Sequence, residues 1–491
     1  MWTLIILLGL FTYFLVRQSK TVTRTPVWLL WLVMMTPVFI WSAWLLLYGS
    51  NKQMPVLLMI IPFVLSPILY VWLFQKGRIK PEVEEKNADQ LRENEEETIR
   101  ILQELAKIKP INKTEEKALR DCFPWRLYYL QNIDYRPQAI LCRGKLRAVP
   151  EVAYKGIKEN IEQVFGDRFI VIFQESFQGQ PFFALVPNPW AKSQIKEENS
   201  EEIKKPGLVL ALLFITLFTT TMVGVELSGI SVKEFQANPG LLINGLPYSL
   251  SLMIILGVHE LGHYLTAIRY KIKATLPYFI PFPGWLGTFG AFVQMRSPVP
   301  HRQALFDIAI AGPLTGLIFT LPILFWGLSH SEIVSIPENT SILNIEALDP
   351  RFSFFLTIIA KFALGNSLTP GMAINLHPAA VAGYIGLIVT ALNLIPVGQL
   401  DGGHIVHSML GQRTAIIISQ VTRLLMFILA MVHSEYLIWA IFLLLMPPAS
   451  PALNDVTELD NKRDFLGLLV LVLLVIILLP LPGAVAHLLN I

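Results

Sequence analysis

Residues 244–270, NGLPYSLSLMIILGVHELGHYLTAIRY, are apolar enough to cross a bilayer, yet they carry His259, Glu260 and His263 near their far end. Two imidazoles and a carboxylate at membrane depth cost several kcal/mol unless something compensates, so ionisable groups in such a segment mark a function. The spacing says which compensation is simplest. Residues four apart share one helical face, so His259 and His263 can grip one metal ion while Glu260 reaches a water at that ion. Chance would give about one H-E-x-x-H per hundred chains of this composition, before asking that it fall in a spanning segment. Zinc suits the pair, and a fold that buries this helix among others is required.

Two ligands do not complete a catalytic zinc site, which usually takes three from the protein and leaves the fourth position open. Most acids after residue 263 lie in polar loops, as Glu332, Glu338 and Glu346 do. The exception is 391–404, ALNLIPVGQLDGGH, where Asn393 and Pro396 break an apolar helix and Asp401 follows on a Gly402-Gly403 turn.

H-E-L-G-H in one apolar helix, followed more than a hundred residues later by N-L-I-P-x4-D-G-G, resembles the site-2 protease family of intramembrane zinc metalloproteases. The resemblance implies His259, His263 and Asp401 as zinc ligands and Glu260 as catalytic base. It implies that Asn393 helps to orient the site or the substrate. The runs at 284–316 and 451–467 are similar to the cyanobacterial and chloroplast branch, which includes the plant proteins named for ethylene-dependent gravitropism deficiency. That branch carries a Gly-Asn-Leu-Arg signature upstream. Here it is Gly144-Lys145-Leu146-Arg147, with Lys in place of Asn.

Composition agrees with a polytopic membrane protein, because 53% of the 491 residues are hydrophobic and 15% charged, against about a quarter charged in soluble chains. A net charge of +3 and the lack of a dense Lys/Arg run give no reason to expect a nucleic-acid partner. Cys122 and Cys142 have no metal spacing and suit reduced thiols in a cytosolic-type compartment. The opening MWTLIILLGLFTYFLV lacks a basic n-region, and no Ser- and Arg-rich transit segment follows. A retained first span and a bacterial plasma or thylakoid membrane are therefore expected.

Apolar runs at 2–16, 27–48 and 55–74 make a three-span front. Arg17, Lys20 and Arg24 place the first loop in the cytoplasm, and 75–206 with it. Residues 81–120 suit a charged, solvated helix. Beyond Pro137, strands at 139–146, 168–176 and 181–187 with an amphipathic helix at 151–166 predict a small α+β domain that regulates the enzyme, filters substrate or serves as scaffold. The span at 244–268 then exits at Arg269, Lys271 and Lys273, and His263 lies about 9 Å along the helix from Arg269. An active site inside the bilayer near the cytoplasmic face follows.

The Gly- and Pro-rich segment 274–297 is too irregular for a helix and must be covered by protein or line a wet cavity. It is expected to form a membrane-embedded hairpin whose stretch 287–295 offers an edge to an unwound substrate, or else a lipid-contacting loop. In the span at 304–327, Asp307 either caps the helix or bonds a ligand imidazole. The segment 352–365 suits an interfacial or re-entrant helix, and 377–397, rich in Gly and Ala, suits close packing. His404 and His407 are left out of the metal set, while Asp455, Glu458 and Asp460 are taken as loop charges. The prediction is an all-α polytopic membrane protein of about nine or ten spans, with an embedded β-hairpin and a small soluble α+β domain. Its parts are a front membrane region (1–74), a cytoplasmic helix and α+β domain (75–206) and a membrane metalloprotease domain (207–491). The expected partners are the lipid bilayer and a membrane-protein substrate with a transmembrane helix. The competing class, a metal-ion transporter or metal-sensing scaffold, would need acids or histidines strung along a path rather than gathered at one depth.

Overall fold

The structure, a computed structural model, describes residues 25–48, scattered positions between 62 and 76, and 111–486 apart from 137–138, 177–178, 189–205, 285, 336–347, 370, 433–435 and 484. The chain divides into two compact units, 1–105 and 106–491. In the first, helix α1 (Val27–Tyr48) is apolar all round and contains Pro37. The expected span at 2–16, most of that at 55–74, the junction at 74–75 and most of the charged helix lie outside the described residues.

The second unit opens with helix α2 (Lys113–Asp121) and strands β1 (Tyr128–Arg136) and β2 (Ala139–Leu146). Helix α3 (Pro150–Phe165), β3 (Phe169–Glu175) and β4 (Pro181–Pro187) complete an antiparallel sheet of order β1-β2-β4-β3. Alternating burial along β2 and β3 directs Ile140, Cys142, Val171 and Phe173 inward. They meet Ala153, Ile157 and Ile161, spaced to share one face of α3. Phe173 and Phe183 stack in this core with centroids 4.2 Å apart. Strand β1 was not foreseen, because YYLQNIDYR is a sheet edge with few buried positions and so lacks a clean apolar alternation. Gly144 has a definite task. A β-carbon there would lie 2.8 Å from the Tyr128 ring and closer still to the Tyr129 carbonyl, where the β1–β2 register shifts. Lys145 is exposed, so the departure from the branch signature leaves the sheet packing untouched, and Arg147 lies over the Trp125 ring. Burial pushes the Cys142 thiol up to about 12 and raises that of Cys122, and both are free thiols.

The remainder is helical. Helices α4 (Pro206–Leu227), α5 (Val232–Ala237), α6 (Leu246–Arg269) and α7 (Arg302–Ser329) are followed by α8 (Phe354–Leu364) and α9 (Pro378–Leu394). Helix α10 (Asp401–Val432) is broken at Gly411, where φ is 79°, and α11 (Leu437–Leu445) and α12 (Asn461–Leu478) end the bundle. Among the described residues, five helices are long and apolar enough to cross a membrane: Val27–Trp44, Pro206–Leu227, Pro239–Arg269, Arg302–Ser329 and Asp401–Met431. That is fewer than the expected count, in part because α8 has 11 residues, α9 has 17 and α11 has 9, against about 20 for a full span.

Small residues let the helices touch. A β-carbon on Gly383 of α9 would lie 2.7 Å from the Leu324 Cα of α7, and one on Gly327 would lie 2.6 Å from the Ala380 Cα. The segment between α6 and α7 forms an antiparallel pair of strands, β5 (Tyr278–Pro281) and β6 (Thr288–Phe292), and Tyr248 of α6 donates to the Leu286 carbonyl between them. A second pair, β7 (Glu332–Ser335) and β8 (Met372–Asn375), lies at the other end of α7.

Candidate metal centre

Helix α6 presents His259 and His263 on one face, as their spacing requires, and α7 receives them with a matching spacing of glycines. A β-carbon on Gly312 would lie 2.7 Å from His263 Cδ2 and nearer still to Nε2, and one on Gly316 would lie 3.1 Å from His259 Nδ1. The imidazoles thus occupy the space that side chains at 312 and 316 would need. On the reciprocal side, Gly262 of α6 allows Thr315 and Ala311 of α7 to approach, and the Thr315 hydroxyl donates to the Val258 carbonyl.

A backbone carbonyl orients the His263 ring. His263 Nδ1 lies 2.8 Å from the Ile308 carbonyl, an acceptor only, so Nδ1 carries the proton and Nε2 keeps its lone pair for a ligand. Asp401 arrives from the other side. Helix α9 stops at Leu394 before Pro396, the chain turns through Gly398 at φ 55°, and α10 begins at Asp401 itself. Gly402 and Gly403 are helical residues rather than the expected turn. They are glycine because a β-carbon at either would collide with backbone, the Leu394 carbonyl in one case and the Gly398 carbonyl in the other.

The three groups converge. His259 Nε2 and His263 Nε2 are 3.2 Å apart, and Asp401 Oδ2 lies 3.5 and 3.4 Å from them. Ligands at about 2.0–2.1 Å from a tetrahedral zinc stand about 3.3 Å from one another. Two imidazoles and one carboxylate at these separations therefore fit zinc, and this is the one such group among the described residues. Asn393 Nδ2 lies 3.4 Å from His259 Nε2. Glu260, partly buried, faces the backbone of Val293, the residue immediately after β6.

Other sequence expectations are revised. Asp307 neither caps α7 nor touches a ligand imidazole. It lies beyond the first turn of α7, whose cap is His301 accepting from the Ala304 amide, and its carboxylate binds Arg463 and the Tyr270 hydroxyl. Asp460 is an N-cap, accepting from the Arg463 amide at the start of α12. Asp455 is not a loop charge but a buried partner of His407. The sequence reading also passed over Gly312 and Gly316 as a pair. Their spacing, which repeats that of the histidines, was the signal that could have found them.

The model of peptidase family M50 matches residues 247–433, the stretch that holds His259, His263 and Asp401. This stretch is similar to that family, the site-2 proteases. The chain is 32% identical over 354 residues to the probable zinc metalloprotease EGY2, chloroplastic, of Arabidopsis thaliana, covering 70% of this chain and 61% of the relative. Similarity to the probable zinc metalloprotease EGY1, chloroplastic, of the same plant is 26% over 370 residues, with 70% and 66% covered. For the probable zinc metallopeptidase EGY3, chloroplastic, it is 25% over 401 residues, with 79% and 68% covered. The chain thus spans about six tenths of the length of the first of these. No solved structure matches it.

Proposed function

We propose that this protein is an intramembrane zinc metalloprotease that cleaves a peptide bond within or beside a transmembrane helix of a membrane-protein substrate. The observation that carries the reading is the convergence of His259, His263 and Asp401 from two distant helices, with Glu260 one residue along from a ligand. His259, His263 and Asp401 would hold the zinc, which when bound acidifies water and polarises a carbonyl as a Lewis acid. Glu260 is the base: its carboxylate takes the proton of the attacking water and passes it to the leaving amine. Asn393, beside His259, orients the site or the substrate carbonyl.

A substrate helix must unwind before cleavage, since its carbonyls are held in its own hydrogen bonds. Strand β6 supplies a place for the unwound segment. Just past β6 the Thr275 amide donates to the Gln294 carbonyl and the Arg296 amide to the Lys273 carbonyl, so the even-numbered residues of this stretch face the segment that leads into β5. Because backbone groups alternate along a strand, Ala291 and Val293 face the other edge, toward α6 and Glu260. An extended peptide paired there would bring its carbonyl to the base and the metal ligands. The hairpin lies in the membrane near the cytoplasmic face on this reading, which rests on the basic exit of α6 at Arg269, Lys271 and Lys273. The three-part division at 74 and 206 and a bacterial plasma or thylakoid membrane belong to the same proposal.

The test compares cleavage of a reporter with a single membrane helix by the wild-type chain and by Glu260→Ala, with zinc content measured on both. Wild type should cleave and bind zinc, and the variant should bind zinc without cleaving. Equal cleavage by the two, or a wild type without zinc, rejects the reading.

A further inference from the structure

Behind the ligand helix lies a buried histidine–aspartate pair that the chemistry above does not use. His407 Nε2 and Asp455 Oδ1 are 2.8 Å apart, with side chains 1% and 4% exposed. His407 is less than two helical turns beyond Asp401 on the same short stretch, 401–410, which ends where Gly411 leaves the helix. The far end of that stretch is held as well. Arg302, the buried first residue of α7, donates through Nε to the Ser408 carbonyl and through Nη2 to the His407 carbonyl. These carbonyls are among those a helix leaves unpaired at its end.

Asp455 belongs to a strap that joins the two halves of the unit. The Leu453 and Asn454 amides donate to the carbonyls of Val299 and Pro300, just ahead of α7. The other side of the strap adds to β3, the sheet edge of the α+β domain: the Phe173 amide donates to Leu453 and the Asp455 amide to Phe173. Val456 then enters the apolar core of that domain. One short segment is thus bonded to the domain, to the start of α7 and, through Asp455, to the helix that begins with Asp401.

A well-packed apolar pair would hold these elements at least as firmly as a buried imidazole–carboxylate pair, which gives up the solvation of its polar groups. What a carboxylate on an imidazole adds is direction. We propose that Asp455 is a positioning residue for the Asp401 ligand, acting through His407 to fix the 401–410 helix against α7 and against the α+β domain. This inference rests on the protease reading, in which Asp401 binds zinc. The domain becomes part of what aligns the metal ligand, rather than an appendage to it.

The experiment uses the full chain in detergent, with zinc affinity measured by competition with a chelating fluorophore and cleavage measured on the single-helix reporter. Asp455→Ala should weaken zinc binding about tenfold and lower kcat in step with KM unchanged, the scale of outer-shell losses. Asp455→Asn, which keeps an acceptor for His407, should recover most of the loss. The double variant H407L/D455L puts an apolar pair in place of the hydrogen-bonded one. It is expected to fold even where Asp455→Ala does not accumulate, and still to bind zinc about tenfold more weakly. Wild-type zinc affinity in the double variant, or a drop in melting temperature alone, overturns the proposal. A wild-type chain without zinc overturns both readings, whereas normal wild-type binding with unaffected variants overturns this one alone.

Discussion

Gly312 of α7 faces His263 of α6 so closely that a β-carbon at 312 would lie 2.7 Å from Cδ2 and nearer still to Nε2, the atom turned toward Asp401. The histidine cannot yield without losing its bond to the Ile308 carbonyl. Gly312→Ala should therefore displace the ring and lower zinc affinity and cleavage by about 10–100-fold. Gly316→Ala, whose β-carbon would meet His259 Nδ1 at 3.1 Å, should have the milder effect. Zinc content and reporter cleavage of the two variants, side by side, check the order.

On the proposed ligand set, Asp401→Ala removes one of three ligands and should cost at least about 100-fold in zinc affinity, read by chelator competition. Asn393→Ala should instead retain zinc and lower kcat about tenfold or more, as loss of an orienting polar group does. If Asn393→Ala strips the metal while Asp401→Ala does not, the two roles are reversed.

Chelation should abolish cleavage, and added zinc should restore it. Magnesium should not, because it prefers an octahedral set of oxygens over two imidazoles and a carboxylate. Restoration by magnesium would contradict the ligand assignment.

Ala291→Pro removes an amide from the edge of β6 that faces α6 and leaves the pairing of Gly290 and Phe292 with β5 in place. Reporter cleavage should fall at least about tenfold while zinc content is unchanged, since pairing of an extended substrate relies on main-chain donors. Full activity in the variant would exclude edge pairing there.

The Cys142 thiol, raised by burial to about 12, stays protonated at pH 8. Alkylation at that pH should proceed at least about 100-fold more slowly in the folded chain than in denaturant. The rate should climb as the pH rises toward 12, because the thiolate is the reactive form. Mass spectrometry of the Cys142 peptide at several pH values checks both statements.

The pairing of two imidazoles on one helical face was legible in the chain as soon as His259, Glu260 and His263 were found in one apolar helix. Helical periodicity alone puts the two imidazoles on one face. The resemblance supplied Asp401 and Asn393, and the structure brings both beside the histidines. Composition and hydropathy likewise gave the membrane class, and alternation gave three of the four strands of the α+β domain. These features are local, set by backbone period and by the cost of burying charge. Only the folded chain decided what local rules do not carry: that Gly312 and Gly316 are the seats of the imidazoles, that Asp307 belongs to Arg463, and that Asp455 is buried on His407. Each depends on residues far apart in sequence meeting in a packed interior, where a missing β-carbon or an added carboxylate takes its meaning from the atom opposite it.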